Sequence, residues 1–334
     1  MIAKRNIIPV FVPHLGCPND CVFCNQRKIS GSLVPASSET VSKTITEALK
    51  KIPPDGNIQL AFYGGSFTAI PAEKQLELLG AALPFLRAGA ISSVRLSTRP
   101  DAIDAETLER LKAFGVATIE LGAQSMCNEV LQASGRGHTA EQVSSASRLI
   151  KEYGFELILQ MMTGLPADTK EKSMATAREI IALCPDGVRI YPTVIVENTA
   201  LCEMWRAGEY LEHTVEQAVD WCAAILPLFA AANIPIIRLG LNPTDELSGG
   251  GALGGAYHPA FGELVRSRIF LDRARALISQ GGCCEAVTIG VNRSDISAMT
   301  GQHRINISTL RHEFAHKTIK ITAADIARGE IILL

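Results

Sequence analysis

The chain reads as an α/β protein, a partial or full (β/α) TIM-like barrel followed by a small C-terminal α/β appendage. Three observations predict this class. Short β-branched runs alternate with amphipathic helical patterns, the arrangement of a parallel sheet. The units recur at about 30 residues, the length of a right-handed βα step that can close into a barrel. At 334 residues the chain has room for one barrel-sized domain and an appendage.

Strands are expected first at 7–13, where Ile7-Ile8-Pro9-Val10-Phe11-Val12 supplies an apolar run, and then at 58–64, 93–99, 117–123, 155–162, 187–194 and 234–240. Helices fill the intervals. One near 39–51 opens with Ser37-Ser38-Glu39, and one near 71–87 starts at Pro71 and carries Glu73; both are helix-start signals. The glycine-rich run from Gly249 to Gly255 marks a boundary by composition, dividing a barrel domain at 1–248 from an appendage at 256–334. No Lys-Ser or Lys-Thr follows that run, so it is not a nucleotide P-loop, and a mobile loop or lid is expected there. Beyond it the pattern gives a helix at 262–280, a strand at 285–291, short helices, and strands at 317–322 and 330–333.

A formal charge of -2, with 20% charged residues, lacks the positive excess of a general nucleic-acid binder and leaves only a local RNA-binding patch open. No run of about 18 apolar residues occurs, and Met1-Ile2-Ala3-Lys4-Arg5-Asn6 leads directly into a strand. A cytosolic, cytoplasmic protein with no membrane partner is therefore expected. Nine cysteines stay reduced in that compartment. Cys127, Cys184, Cys202 and Cys222 stand alone as inert thiols, and Cys283-Cys284 has no partner set for a second metal site.

Chemistry concentrates on the loop after the first strand, where Cys17, Cys21 and Cys24 are spaced C-x3-C-x2-C. Three thiolates can hold three irons of a cubane cluster and leave the fourth iron without a protein ligand. A structural zinc ion with His14 as fourth ligand competes, although such sites are usually built from two separated ligand pairs and no second pair occurs. Phe23 sets a ring against whatever binds the open iron, or packs in the core. In a barrel the reactive groups lie on loops after the carboxyl ends of the strands. Gly64-Gly65-Ser66-Phe67-Thr68, Ser97-Thr98-Arg99-Pro100, Gly122-Ala123-Gln124-Ser125 and Gly164-Leu165-Pro166 all fall at such ends and would converge on the cysteines.

On these motifs, together with Pro13-His14-Leu15-Gly16, Phe62-Tyr63, Asp101, Glu120-Leu121, Arg136-Gly137-His138-Thr139 and Arg189-Ile190-Tyr191-Pro192, the chain resembles radical S-adenosylmethionine (SAM) enzymes. Within that superfamily it is similar to the radical domain of the Elongator catalytic subunit. The resemblance implies a barrel of the radical SAM type, with a [4Fe-4S] cluster on Cys17, Cys21 and Cys24 and SAM chelating its open iron. It further implies that one electron, from a donor such as a flavodoxin or ferredoxin, cleaves the sulfonium to give a 5′-deoxyadenosyl radical that abstracts hydrogen. Gly64 and Gly65 let the methionine end approach backbone carbonyls, and Ser66 or Thr68 adds a hydroxyl. Ser97 and Gln124 suit the ribose or methionine polar atoms. By similarity to the coproporphyrinogen oxidase branch, Arg136 reaches the cofactor carboxylate, against a solvated turn as the plain alternative. Gly164 and Leu165 pack near the adenine or form an ordinary turn. Gln160 stands where related enzymes often carry an acid.

The Elongator subunit carries an acetyl-coenzyme A domain after its radical domain, and residues 256–334 show no motif for one. The leading expectation is a radical SAM enzyme of undetermined substrate, with tRNA the candidate that the resemblance supplies. An enzyme of tetrapyrroles or other small metabolites, and a non-catalytic iron–sulfur sensor, are the alternatives. Arg266, Arg268, Arg273 and Arg275 form either a solvated helix face or a contact for substrate phosphate.

Overall fold

The computed structural model describes residues 6–12, 17, 21–25, 36–53, 57–244, 247–280 and 285–334; His14 and Cys283-Cys284 lie outside them. Six parallel strands come first: β1 (Asn6–Phe11), β2 (Ile58–Tyr63), β3 (Ser93–Thr98), β4 (Val116–Gln124), β5 (Glu156–Thr163) and β6 (Gly187–Pro192). A short β7 (Val194–Val196) leaves the sheet, and β8 (Ile236–Leu239) returns to it beside β6. The seven-stranded order β1-β2-β3-β4-β5-β6-β8 is parallel throughout and curls into an open, partial barrel of the TIM-like type. All seven strands overlap the ranges read from sequence.

Each crossover helix lays an apolar stripe on the sheet, so strand residues such as Leu60, Phe62, Leu96 and Leu159 are wholly buried in one core. Side-chain caps fix where helices start. Ser37 and Thr40 bond reciprocally at the helix Ser38–Leu49, as do Thr139 and Gln142 at Ala140–Glu152. The helix expected near 71–87 is two, Ala72–Gly80 and Leu83–Arg87. Pro84 cannot donate to the helical ladder, and its ring clashes with the carbonyl four residues earlier.

The second half of the glycine run is strand-paired to β7 beside the barrel, not a free lid. This half is β9 (Ala252–Gly255), which pairs antiparallel with β7, Ile195 opposite Gly254 and Val196 opposite Ala252. Ala256 belongs to the main core, and the helix Phe261–Gln280 serves two cores at once. Phe261 and Val265 pack on the barrel, whereas Phe270, Leu271, Ala274 and Ile278 form a second cluster with Val287, Ile289 and Ile319. The second cluster underlies a sheet of β10 (Ala286–Val291), parallel to β11 (Thr318–Ala323) and antiparallel to β12 (Ile331–Leu333). The helix arginines are ion-paired: Arg266 with Asp295 at 2.7 Å, Arg268 with Asp220 at 2.8 Å, and Arg275 with Glu313 at 2.6 Å. Arg273 donates to the Gly329 carbonyl. These charges therefore stitch barrel, helix and appendage together and are not a free phosphate-binding face. Among the described residues no helix is long and apolar enough to cross a membrane.

Candidate functional site

A cleft of about 540 Å³ opens at the carboxyl ends of the strands. The period-two alternation of strands decides what lines it. Glu120, Gly122 and Gln124 of β4, Gln160 and Met162 of β5, and Arg189 and Tyr191 of β6 all face the cleft, as does Arg238 of β8. The loop after β1 contributes Cys17, Cys21, Phe23 and Cys24, the β2 end Tyr63, Gly64, Gly65 and Ser66, and the β3 end Ser97, Thr98 and Arg99.

The stretch 21–24 of the cysteine loop is pinned to its surroundings. Cys24 N–H donates to the Cys21 carbonyl at 2.9 Å, Val22 N–H to Ser134 at 3.1 Å, and Leu201 N–H to the Val22 carbonyl at 2.7 Å. Val22 and Phe23 pack against the buried cluster of Ile195, Leu201, Cys202 and Tyr210, so the Phe23 ring is both core and cleft wall. None of the three cysteines is held in a disulfide. Among the described residues no three His, Cys, Asp or Glu side chains close on a single ion position. The Cys17 thiol is raised by desolvation first and by neighbouring Cys21 second, while Arg99 and Arg136 oppose the shift.

Arg136 lies in the cleft wall, not on a solvated turn. Its Nη1 donates to Cys21 Sγ at 3.2 Å and its Nη2 to the Gly122 carbonyl at 2.8 Å. Arg99, itself paired with Asp101, donates to the Arg136 carbonyl at 3.2 Å. A Cβ at position 122 would meet Gln124 Nε2 at 3.0 Å and Arg136 Nη2 at 3.3 Å, so glycine is what allows this close approach. Two residues on, the β4–β5 register shifts and Gln124 takes φ +63°, a conformation that costs a non-glycine residue about 1–2 kcal/mol. That local strain turns the Gln124 side chain into the cleft. Ser66 Oγ lies 3.4 Å from Thr98 Oγ1, and the Thr68 hydroxyl is bonded to the same Thr98 oxygen.

Below these groups a fully buried carboxylate organises the floor. Glu120 Oε1 accepts from Tyr63 Oη, Arg95 Nη1 and Arg189 Nη2, each at 2.9 Å. Its Oε2 accepts from Gln160 Nε2 at 3.0 Å and faces Arg189 Nε at 2.8 Å. Burial first, and the Glu120 charge second, hold the Tyr63 phenol above its ordinary range. Gln160 thus enters the cleft with its amide engaged by Glu120.

Ten of the twelve candidate residues line this one cleft: Cys17, Cys21, Cys24, Phe23, Gly64, Gly65, Ser66, Ser97, Gln124 and Arg136. Gly164 and Leu165 line a second cavity of about 310 Å³ with Tyr210 and His213. Tyr210 Oη donates to the Gly164 carbonyl at 2.6 Å, and a Cβ at 164 would lie 2.1 Å from the His213 ring. Burial lowers the His213 pKa to about 4, and burial followed by the Arg136 charge does the same to His138, whose Nε2 lies 3.2 Å from the Ala123 carbonyl. Sequence reasoning assigned no role to Arg95, Glu120, Arg189 or Arg238. Their signal was available as charges at inward spacing within otherwise apolar strand runs.

Residues 11–180 match the family model of the radical SAM superfamily, and residues 185–270 match the Radical_SAM C-terminal domain. The chain belongs to the radical SAM superfamily and is an enzyme of that class. It is 25% identical over 285 residues to a tRNA uridine(34) acetyltransferase of Dehalococcoides mccartyi, covering 73% of this chain and 62% of the relative. It is 30% identical over 210 residues to the protein of that name from Methanocaldococcus jannaschii (56% of this chain, 39% of the relative). Against human Elongator complex protein 3 it is 32% identical over 138 residues, 40% of this chain and 25% of the relative. The chain thus spans less than two thirds of each of these relatives. In fold it is similar to the archaeal Elp3 of Methanocaldococcus infernus, with a TM-score of 0.60, 23% identity, and coverage of 85% of this chain and 65% of that one.

Proposed function

We propose that the cleft binds a [4Fe-4S] cluster on Cys17, Cys21 and Cys24 with SAM beside it, and uses the pair on a nucleoside of tRNA. The observation that carries this reading is the convergence of three cysteines outside any disulfide with Arg136, Gln124, Ser66 and the Gly64-Gly65 backbone in one cleft of a superfamily barrel. The donor set fits. A cubane spreads its thiolates over separate irons, whereas one zinc ion needs its ligands gathered at a point, and among the described residues no three such side chains are gathered so.

The bound pair supplies one-electron cleavage of the sulfonium and abstraction of a hydrogen atom. The residues supply the rest. Arg136 directs a guanidinium N–H at Cys21 Sγ and so places a positive charge against the cysteine loop. Gln124 and Ser97 offer amide and hydroxyl groups to a polar cofactor from the ends of β4 and β3. Phe23, Met162, Val194 and Val196 give the cleft an apolar lining that excludes water from a reactive species. The Glu120 network holds the floor rigid under them. The external reductant is of the flavodoxin or ferredoxin type, and the tRNA assignment rests on the names carried by the relatives.

The test is anaerobic. Reconstituted protein given dithionite and SAM releases 5′-deoxyadenosine, and with deuterated tRNA as partner the label appears in that product. Release without transfer from any tRNA would move the substrate to a small metabolite. No release from fully iron-loaded protein would make the chain a cluster-binding sensor.

A further inference from the structure

On the β6–β8 side of the cleft, Arg238 has no counter-charge among the described residues. Gly122, Gln160, Arg189 and Arg238 stand at one level across β4, β5, β6 and β8, joined by the register pairs Gly122–Gln160, Gln160–Arg189 and Arg189–Arg238. All four line the cleft. Arginines directly opposite on adjacent strands repel each other, so something must offset the second charge. Arg189 is offset by Glu120, whose Oε2 lies 2.8 Å from Nε. Among the described residues, Arg238 has no ion-pair partner and Glu120, already shared by Arg95 and Arg189, is the only acid in the lining; Asp245 and Glu246 lie outside the described residues. The other two arginines of the cleft are engaged elsewhere, Arg99 with Asp101 and Arg136 with Cys21 and Gly122. A half-buried guanidinium left over in this way presents a planar fork of donors, whose best complement is a carboxylate or a phosphate. Asn242 and Thr244, on the loop after β8, add amide and hydroxyl donors to the same lining.

We infer that Arg238, with Asn242 and Thr244, binds an oxyanion carried by the substrate. The inference deepens the substrate reading above and rests on this cleft being the substrate cleft. Carboxylate and phosphate share the chemistry, and titration separates them. The iron-reconstituted full chain is titrated calorimetrically with uridine 5′-monophosphate, with uridine and with acetate. At least one of the two anions is expected to bind. A phosphate site favours the monophosphate over uridine by about tenfold or more, and a carboxylate site binds acetate while leaving the two uridine ligands equal. Arg238→Gln weakens the preferred anion by about tenfold or more, and Arg238→Lys weakens it less because the charge remains. Failure of both anions to bind the unaltered chain overturns the inference. So does an anion affinity unchanged in Arg238→Gln, which would place the anion on the arginines near the cysteines. The wild-type comparison stands even if Arg238→Gln folds poorly. Iron content of the same samples reports the cluster reading separately, because binding at Arg238 needs no cluster.

Discussion

Glu120 on β4 and Arg189 on β6 meet at 2.8 Å under the cleft, although β5 lies between their strands in the sheet. The contact therefore runs through the barrel interior, not along a neighbouring pair. Tyr63 of β2, Arg95 of β3 and Gln160 of β5 reach the same carboxylate, so five consecutive strands of the sheet are tied at one point. Such a knot fixes the spacing of the strand ends that carry the site.

Glu120→Gln should leave Arg95 and Arg189 buried with their shared counter-charge removed. A loss on the order of 3–5 kcal/mol is expected in urea unfolding, as when one partner of a buried pair is removed. A loss below about 1 kcal/mol, the scale of an exposed ion pair, would show that the network does not hold the floor.

Cys21→Ala removes one of three expected iron ligands while changing little packing. Reconstituted Cys21→Ala should lose the iron–sulfur absorbance and keep the far-ultraviolet circular dichroism and melting temperature of the unaltered apoprotein. Unfolding of the barrel instead would make the metal structural.

Gly164→Ala faces two obstacles, a φ of +74° and a Cβ placed 2.1 Å from the His213 ring. Together they should destabilise by about 2–5 kcal/mol, from left-handed strain plus overpacking. Adding His213→Ala should recover part of the loss, since it removes the overlap but not the strain. Equal melting temperatures for the single and double variants would contradict this account.

His138 and His213 are both held near pKa 4 in the fold, chiefly by burial, against about 6.5 in an unfolded chain. Between these values the unfolded chain takes up protons that the folded chain refuses. Stability should therefore fall as pH drops from about 6.5 toward 4, by up to about 1.4 kcal/mol per pH unit for each histidine. His213→Phe should flatten the slope by one proton in urea unfolding between pH 7 and pH 5. An unchanged slope would mean that His213 titrates normally.

The strands were legible because parallel strands buried on both faces read as compact apolar runs, and β2 illustrates this with Leu60, Ala61 and Phe62 all fully buried. Less legible was β9, since Ala252-Leu253-Gly254-Gly255 has none of the β-branched character of a strand and pairs only because β7 offers it an edge. Composition shifts at the glycines, but the packing shifts between Val265 and Phe270, within a continuous helix. In the site, the cysteines and the Gly64-Gly65 turn declared themselves through spacing. Arg238 did not, because an unoffset charge becomes visible only when the neighbouring strands and their acids are in place.

The proposed cluster on Cys17, Cys21 and Cys24 keeps one iron open to SAM. The most direct test is electron paramagnetic resonance of the dithionite-reduced, reconstituted protein before and after SAM is added. A [4Fe-4S]⁺ signal whose g-values shift on adding SAM is expected. An unshifted signal would mean that every iron is already capped, and a colourless protein carrying zinc would mean that no such cluster forms.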